Sequence, residues 1–170
     1  MMQAEIDARL AERARKLAEI APTVDASRSI EVLVCRLGEE EFAVELRLLQ
    51  GVFPAVGLTP VPCTPAFVAG LLNLRGEILT VVDLAAALGL TASGQHEVLV
   101  AETTKVRVGL LVDEVLGVRW IALDSLDRAL AGSDSTRGIA AAKTVLLDLE
   151  ALLADARFDP AHERSESFAK

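Results

Sequence analysis

Apolar and polar positions change rhythm along this chain. Over residues 1–21 the apolar positions recur at helical spacing, as Ile6, Leu10, Ala14, Leu17 and Ala21, with Ala11 and Ala18 widening the stripe. Glu5 and Arg9, and Glu12 and Lys16, stand four apart in the order that supports a helix. Pro22 ends that helix, and residues 23–29 read as a linker. From Ser29 the texture shortens to strands. Residues 30–37 are apolar-rich, Gly38-Glu39-Glu40-Glu41 is a charged turn, and residues 42–46 continue the sheet, which is a hairpin by pattern. Residues 97–102 and 106–112 form a second hairpin around Thr103-Thr104-Lys105. A third turn signal, Asn73-Leu74-Arg75-Gly76, separates two apolar runs rich in β-branched residues. Thr64-Pro65-Ala66-Phe67-Val68 predicts a short helix capped by Thr64, with Pro65 in its first position and Gly70 closing it. Residues 157–170 are polar and aperiodic and read as a frayed tail.

The strand pattern occurs twice. Glu31-Val32-Leu33-Val34 returns 66 positions later as Glu97-Val98-Leu99-Val100, and in the same register Phe42-Ala43-Val44 faces Val108-Gly109-Leu110 and Gly51-Val52 faces Gly117-Val118. Val81-Val82-Asp83-Leu84 returns 65 positions later as Leu146-Leu147-Asp148-Leu149. Two small barrels built on one plan account for this economically, because closure removes the exposed edges of short sheets.

At 170 residues, 52% of them apolar and 25% charged, the chain is globular and has room for one domain or two small ones sharing an interface. No apolar run approaches the ~20 residues that cross a bilayer, and the N-terminus lacks the pattern of a secretory signal, so a cytoplasmic location is expected. The net charge of −8, the single Trp and the absence of Tyr disfavour a nucleic-acid groove, which needs basic residues and stacking platforms. An acidic, aliphatic-rich chain suggests apolar surface left over for a protein partner.

Candidate chemistry is sparse. Asp83 and Asp148 each precede a helical run, residues 84–88 (closed by Gly89) and 149–153, and helix capping explains both. Cys35 and Cys63 sit in apolar-rich context and read as small hydrophobes, with no disulfide or metal spacing. His96 and His162 are the only histidines, and no nucleophile signature, phosphate loop or dinucleotide fingerprint is present. Neither a cofactor nor an enzymatic activity is expected. Trp120, in a strand-like run, reads as core or subdomain packing.

One stretch is specific. Gly70-Leu71-Leu72-Asn73-Leu74-Arg75-Gly76, then an apolar-rich run ending in Asp83-Leu84, resembles the central signature of the CheW family of chemotaxis coupling adaptors, and Val108-Gly109-Leu110-Leu111-Val112-Asp113 adds to the match. The resemblance covers roughly residues 30–153. It implies a mainly β fold of two SH3-like five-stranded β-barrel subdomains, intertwined within residues 30–154. These would be preceded by the helix (1–22) and linker (23–29) and followed by the tail (155–170). It also implies a non-catalytic adaptor that couples the cytoplasmic tips of chemoreceptors to the regulatory domain of a CheA-type histidine kinase. Such a protein works in the cytoplasm at membrane-bound receptor arrays, with no nucleic acid and no membrane insertion.

By resemblance, Arg75 of the Asn73-to-Gly76 turn belongs to the surface engaging receptor and kinase. Gly70 matches a glycine near the kinase-binding surface, and Leu49, Gly51 and Val52 match the strand that helps form the receptor groove. Gly51 departs from the family pattern, which has glutamate there. The step from Gly138 to Asp148 is shorter than that from Gly70 to Asp83, so the second hairpin reads as trimmed. An adaptor of the same fold in twitching motility or surface sensing is an alternative. A small-barrel ligand-binding or enzymatic domain is another, and would require convergent polar groups around Asp83 or His96.

Overall fold

A computed structural model of the chain describes residues 28–94, 97–128, 134–140 and 143–154. The expected N-terminal helix, His96, His162 and the tail lie outside the described residues. Among the described residues, ten strands form two five-stranded sheets. In chain order they are β1 (Ser29–Leu37), β2 (Glu40–Glu45), β3 (Leu49–Pro54), β4 (Val68–Leu74), β5 (Glu77–Asp83), β6 (Glu97–Glu102), β7 (Arg107–Val112), β8 (Glu114–Ala122), β9 (Thr136–Ile139) and β10 (Val145–Leu147). Helix α1 (Leu84–Ala87) follows β5, and α2 (Leu149–Ala154) follows β10.

The sheets run β8-β1-β2-β10-β9 and β3-β6-β7-β5-β4. Both repeat one plan, but each takes its central hairpin from one half of the chain and its three flanking strands from the other. The two expected hairpins are β1–β2 and β6–β7, both antiparallel. The halves are stitched by two antiparallel pairs, β8 on β1 and β3 on β6, and by two parallel ones, β5 on β7 (Val81 to Gly109, Val82 to Leu110) and β10 on β2 (Val145 to Phe42, Leu146 to Ala43).

This exchange explains the apolar runs. Along β1, Val32 and Val34 join a small cluster with Ala43, Ile121 and Leu146 on the enclosed face of the first sheet. Leu33, Cys35 and Leu37 alternate onto a larger central cluster shared by both sheets. The second hairpin repeats this: Val98 and Leu111 face an enclosed cluster with Leu72 and Val81, whereas Leu99, Ala101, Val108, Leu110 and Val112 face the centre. Strands buried on both faces need no polar alternation. The enclosed space is tight, since a Cβ on Gly109 would lie 2.8 Å from Val98 Cγ1 and 3.1 Å from Val81 Cγ2.

Asp83 and Asp148 cap α1 and α2 as expected, accepting from the amides of Ala86 and Ala151 at 3.0 Å each. The short helix expected at 64–68 does not form. Thr64 Oγ1 instead donates to the Val61 carbonyl at 2.8 Å, Val68 N closes a turn on Pro65 O, and β4 begins at Val68. Gly70 is therefore no helix terminus. It sits at a bulge in the β4–β5 register with φ of +148°, where Thr59 exchanges two backbone hydrogen bonds with Leu71. A Cβ there would lie 2.3 Å from Thr59 O. Gly138 (φ +154°) is its counterpart, crossed in the same way by Asp127 pairing with Ile139. Trp120 is not core either: it lies on edge strand β8 and is 60% exposed. Cys63 is likewise exposed, on a turn.

Two charged groups pin the exchange. Glu45, at the end of β2 and almost fully buried, pairs with Arg47 and with Arg137 of β9, so its desolvation is compensated from the other half. Asp113, between β7 and β8 and 5% exposed, accepts from Gly38 N at 2.7 Å and from Ser93 N and Oγ at 3.0 Å each. It thereby ties the β1–β2 turn to the loop before β6. Burial pushes the Asp113 carboxyl up, but the amides of Ser93, Gly38 and Gly94 and the Ser93 hydroxyl outweigh it and hold it below the ordinary 3.8.

Asp113→Ala should lose about 2–4 kcal/mol of unfolding free energy at neutral pH. A carboxyl depressed in the folded state stabilises above its unfolded pKa, so the gap to wild type should close as pH falls below 3.8. Urea titrations between about pH 7 and pH 3 test this, since ionisation-linked stability must show that slope. Gly70→Ala should lose about 2–4 kcal/mol from overpacking and backbone strain together, measured the same way. Burial pushes the Cys35 thiol up to about 12. A thiol reagent should accordingly titrate one cysteine, Cys63, in the native protein and both after denaturation.

Candidate functional site

The residues singled out by sequence fall on the second sheet, at its two opposite edges. β3 is one edge, pairing only with β6. Its register shifts between Leu49 (opposite Ala101) and Gly51 (opposite Val100), so Val52 stands opposite Leu99. That bulge matters. Residues three apart on a regular strand face opposite ways, but the extra residue returns Leu49 and Val52 to the same face as Ala101 and Leu99. Leu49 is half-buried against the central cluster, whereas Val52 is 40% exposed. The space at Gly51 is taken by the Phe53 ring, whose Cε2 lies 2.9 Å from where a Cβ would be. Any side chain at position 51 must first displace that ring.

β4 is the other edge and leads into the turn. Leu74 pairs with Glu77, leaving the two-residue loop Arg75-Gly76 with φ of 53° and 91°. Two positive φ angles are the mark of a type I′ hairpin turn. The Asn73 side chain braces it, with Oδ1 accepting from Gly76 N at 2.9 Å. Gly76 adopts the left-handed backbone without strain. Arg75 is exposed at the tip and engages no described residue. Ile78, opposite Asn73 across the hairpin, is 65% exposed.

Sequence reasoning missed the group that links edge strand β3 toward the turn. Arg107 at the start of β7 donates from Nε to Gln50 Oε1 at 2.9 Å and pairs through Nη1 with Glu77, and Gln50 also donates to Glu102. A polar chain thus runs from β3 to the residue following the Arg75-Gly76 turn. Nothing in the sequence marks Arg107, since its partners are set by the pairing of strands from different halves. The exposure of Ile78 was legible, because alternation along β5 sets Ile78 and Thr80 on one side and Leu79 and Val81 on the other.

A cleft of about 540 Å³ opens elsewhere, lined by Arg36, Ser93, Gly94, Glu97, Asp113, Glu114 and Val115. Its charges are engaged structurally: Arg36 with Glu114, Glu97 with the Val115 amide, and Asp113 as described. Asp83, bound to its helix cap, is not part of it. Among the described residues no three metal-ligating side chains converge, and no helix is long and apolar enough to cross a membrane. The exposed features, an edge strand and a rigid cationic hairpin tip flanked by isoleucine, suit protein recognition: strand addition at the edge, and arginine with apolar contact at the tip.

Comparison with known proteins agrees. The family model described as "CheW-like domain" matches residues 31–157. The chain is 41% identical over 105 residues to "Chemotaxis protein CheW" of Thermotoga maritima, which is 61% of this chain and 70% of that protein. It is 32% identical over 123 residues to "Protein PilI" of Pseudomonas aeruginosa, covering 70% of this chain and 69% of that one. With "Protein FrzA" of Myxococcus xanthus it shares 35% over 109 residues, 60% and 66% of the two chains. The crystal structure of scaffolding protein TtCheW from Thermoanaerobacter tengcongensis is similar with a TM-score of 0.65 at 27% identity, covering 75% of this chain and 94% of that one. With the family model spanning both halves of a strand-exchanged, mainly β fold, the chain belongs to the CheW family.

Proposed function

We propose that this chain is a non-catalytic scaffold adaptor of chemotaxis signal transduction. It couples the cytoplasmic tips of chemoreceptors to the regulatory domain of a CheA-type histidine kinase. The observation that carries the reading is the family match over residues 31–157, with its signature falling on an exposed, braced hairpin. Each five-stranded sheet works as an SH3-like barrel subdomain within a functional unit of residues 30–154. Arg75, Asn73 and Gly76 form one contact surface with Gly70 behind them, and Leu49, Gly51 and Val52 form another. Output is positional: the adaptor sets kinase activity by fixing geometry at receptor arrays. The likeness to PilI and FrzA favours one second reading, the same role in a non-flagellar chemosensory pathway.

The roles within each surface differ. Asn73 and Gly76 shape the turn, and Arg75 offers a planar fork of donors to an acidic partner. Leu49 anchors β3 to the core, which leaves Val52 as the side chain free to be buried by a partner. Arg75→Glu and Val52→Asp should each weaken partner binding about tenfold or more. Both should shift Tm by no more than about 2 °C, since neither side chain is buried. A pull-down from the source cell, read by mass spectrometry beside both variants, is the measurement. Recovery of neither kinase nor receptor by the well-folded protein would reduce the likeness to one of fold.

A further inference from the structure

The register of β3 on β6 leaves one residue over. Leu49 stands opposite Ala101 and Gly51 opposite Val100, so Gln50 has no partner in the ladder. A strand with one residue too many can place the excess elsewhere, and each such slip turns the side chains between to the other face. Contacts outside the ladder hold the bulge at Gln50.

The Gln50 side chain is engaged at both ends. Its Oε1 accepts from Arg107 Nε at 2.9 Å, and its Nε2 donates to Glu102. Glu102 and Arg107 are the closing pair of the β6–β7 hairpin. The turn beyond them is braced by Thr103, whose amide donates to Val106 O at 2.9 Å and whose Oγ1 accepts from Val106 N at 3.2 Å. Arg107 also pairs through Nη1 with Glu77 on β5, so its guanidinium is fixed from one side while it holds Gln50 on the other. A planar fork suits this task, because it serves two acceptors in set directions. Strand alternation puts Arg107 on the face of Leu111 and Glu102 on the face of Val98, which is the enclosed face. Gln50 is thereby drawn to that side. Leu49 and Val52 are left together on the opposite one, with Ala101 and Leu99.

We propose that Arg107, two strands in from the edge, is a positioning residue of the β3 surface: it locks the bulge at Gln50 and so sets the side on which Val52 emerges. Its bearing on recognition rests on the adaptor reading, but its bearing on the register does not. Amide hydrogen exchange of the full chain, followed by NMR, tests the register in the pure protein. Arg107→Met keeps the apolar stem and removes the fork, and Gln50→Ala removes the side-chain amide. Each should speed exchange of the β3 amides bonded to β6 by about tenfold and leave those of β1 and β2 unchanged. Arg107→Met combined with Gln50→Ala should be no faster than either alone, because both remove one contact. Unchanged exchange in both single variants overturns the proposal, since the contacts are then surface decoration. Exchange that quickens through both sheets alike also overturns it, because the role is then one of overall stability. So do effects that multiply in the combined variant, which would make the two residues independent. No kinase or receptor enters the measurement, so its failure and that of the adaptor reading are separate events.

Discussion

The parallel pairing of β5 with β7 and of β10 with β2 is the constraint on which the remaining structure depends. Through it each half of the chain completes the sheet of the other, and neither half contains a sheet alone. A parallel pair cannot be closed by a tight turn and requires a long connection. Here α1 and β6 connect β5 to β7, whereas β3 through β9 lie between β2 and β10, so the chain leaves the first sheet after β2 and returns to it at β8. Asp113 stands at one such crossing, the single-residue step from β7 into β8, and its bonds to Gly38 and Ser93 hold three segments at once. The central cluster follows directly, because two hairpins buried on both faces leave their shared side nowhere to go but against each other.

A fixed arrangement of edges is what a scaffold adaptor has to offer. Edge strand β3 and the Arg75-Gly76 tip occupy opposite edges of one sheet, with β6, β7 and β5 between them. Arg107 spans part of that distance with side-chain contacts to Gln50 and Glu77. Surface polar contacts contribute little to stability. Their effect here is geometric, since Gln50 belongs to the bulge that turns Leu49 and Val52 to one face. Gly51 and Phe53 lie on the opposite face of the strand, where the Phe53 ring fills the space that a side chain at 51 would need.

Local features of the fold were legible in the sequence because local physics sets them. The hairpins β1–β2 and β6–β7, the Asn73-to-Gly76 turn and the caps at Asp83 and Asp148 all rest on residues a few positions apart. The repeat at 66 positions showed that the halves are alike, yet similarity carries no information about which half's strand lies beside which. Strand pairing across the chain was therefore out of reach, and so was Arg107. Thr64-Pro65 satisfied the local signature of a helix start, but β4 claimed the following residues for its ladder, and tertiary pairing overrode the cap. Gly70 was read as a helix terminus for the same reason, when the approach of Thr59 demands it. Trp120 misled because aromatic residues in strands are usually covered, whereas this one stands exposed on an edge strand.

The two edges also show how a repeated fold acquires two different faces. Val52 on β3 and Val118 on β8 are equivalent in the repeat, both edge residues and both part-exposed. Their neighbours two positions on differ: Pro54 in one, Trp120 in the other. Proline withholds an amide and limits how far a foreign strand can pair along β3, which suits a partner that engages only a short stretch. Tryptophan adds a broad apolar face with a polar tip. The outer edges β4 and β9 are protected symmetrically, by Thr59 and Asp127. Divergence between the two edges thus lies in the residues that follow Val52 and Val118.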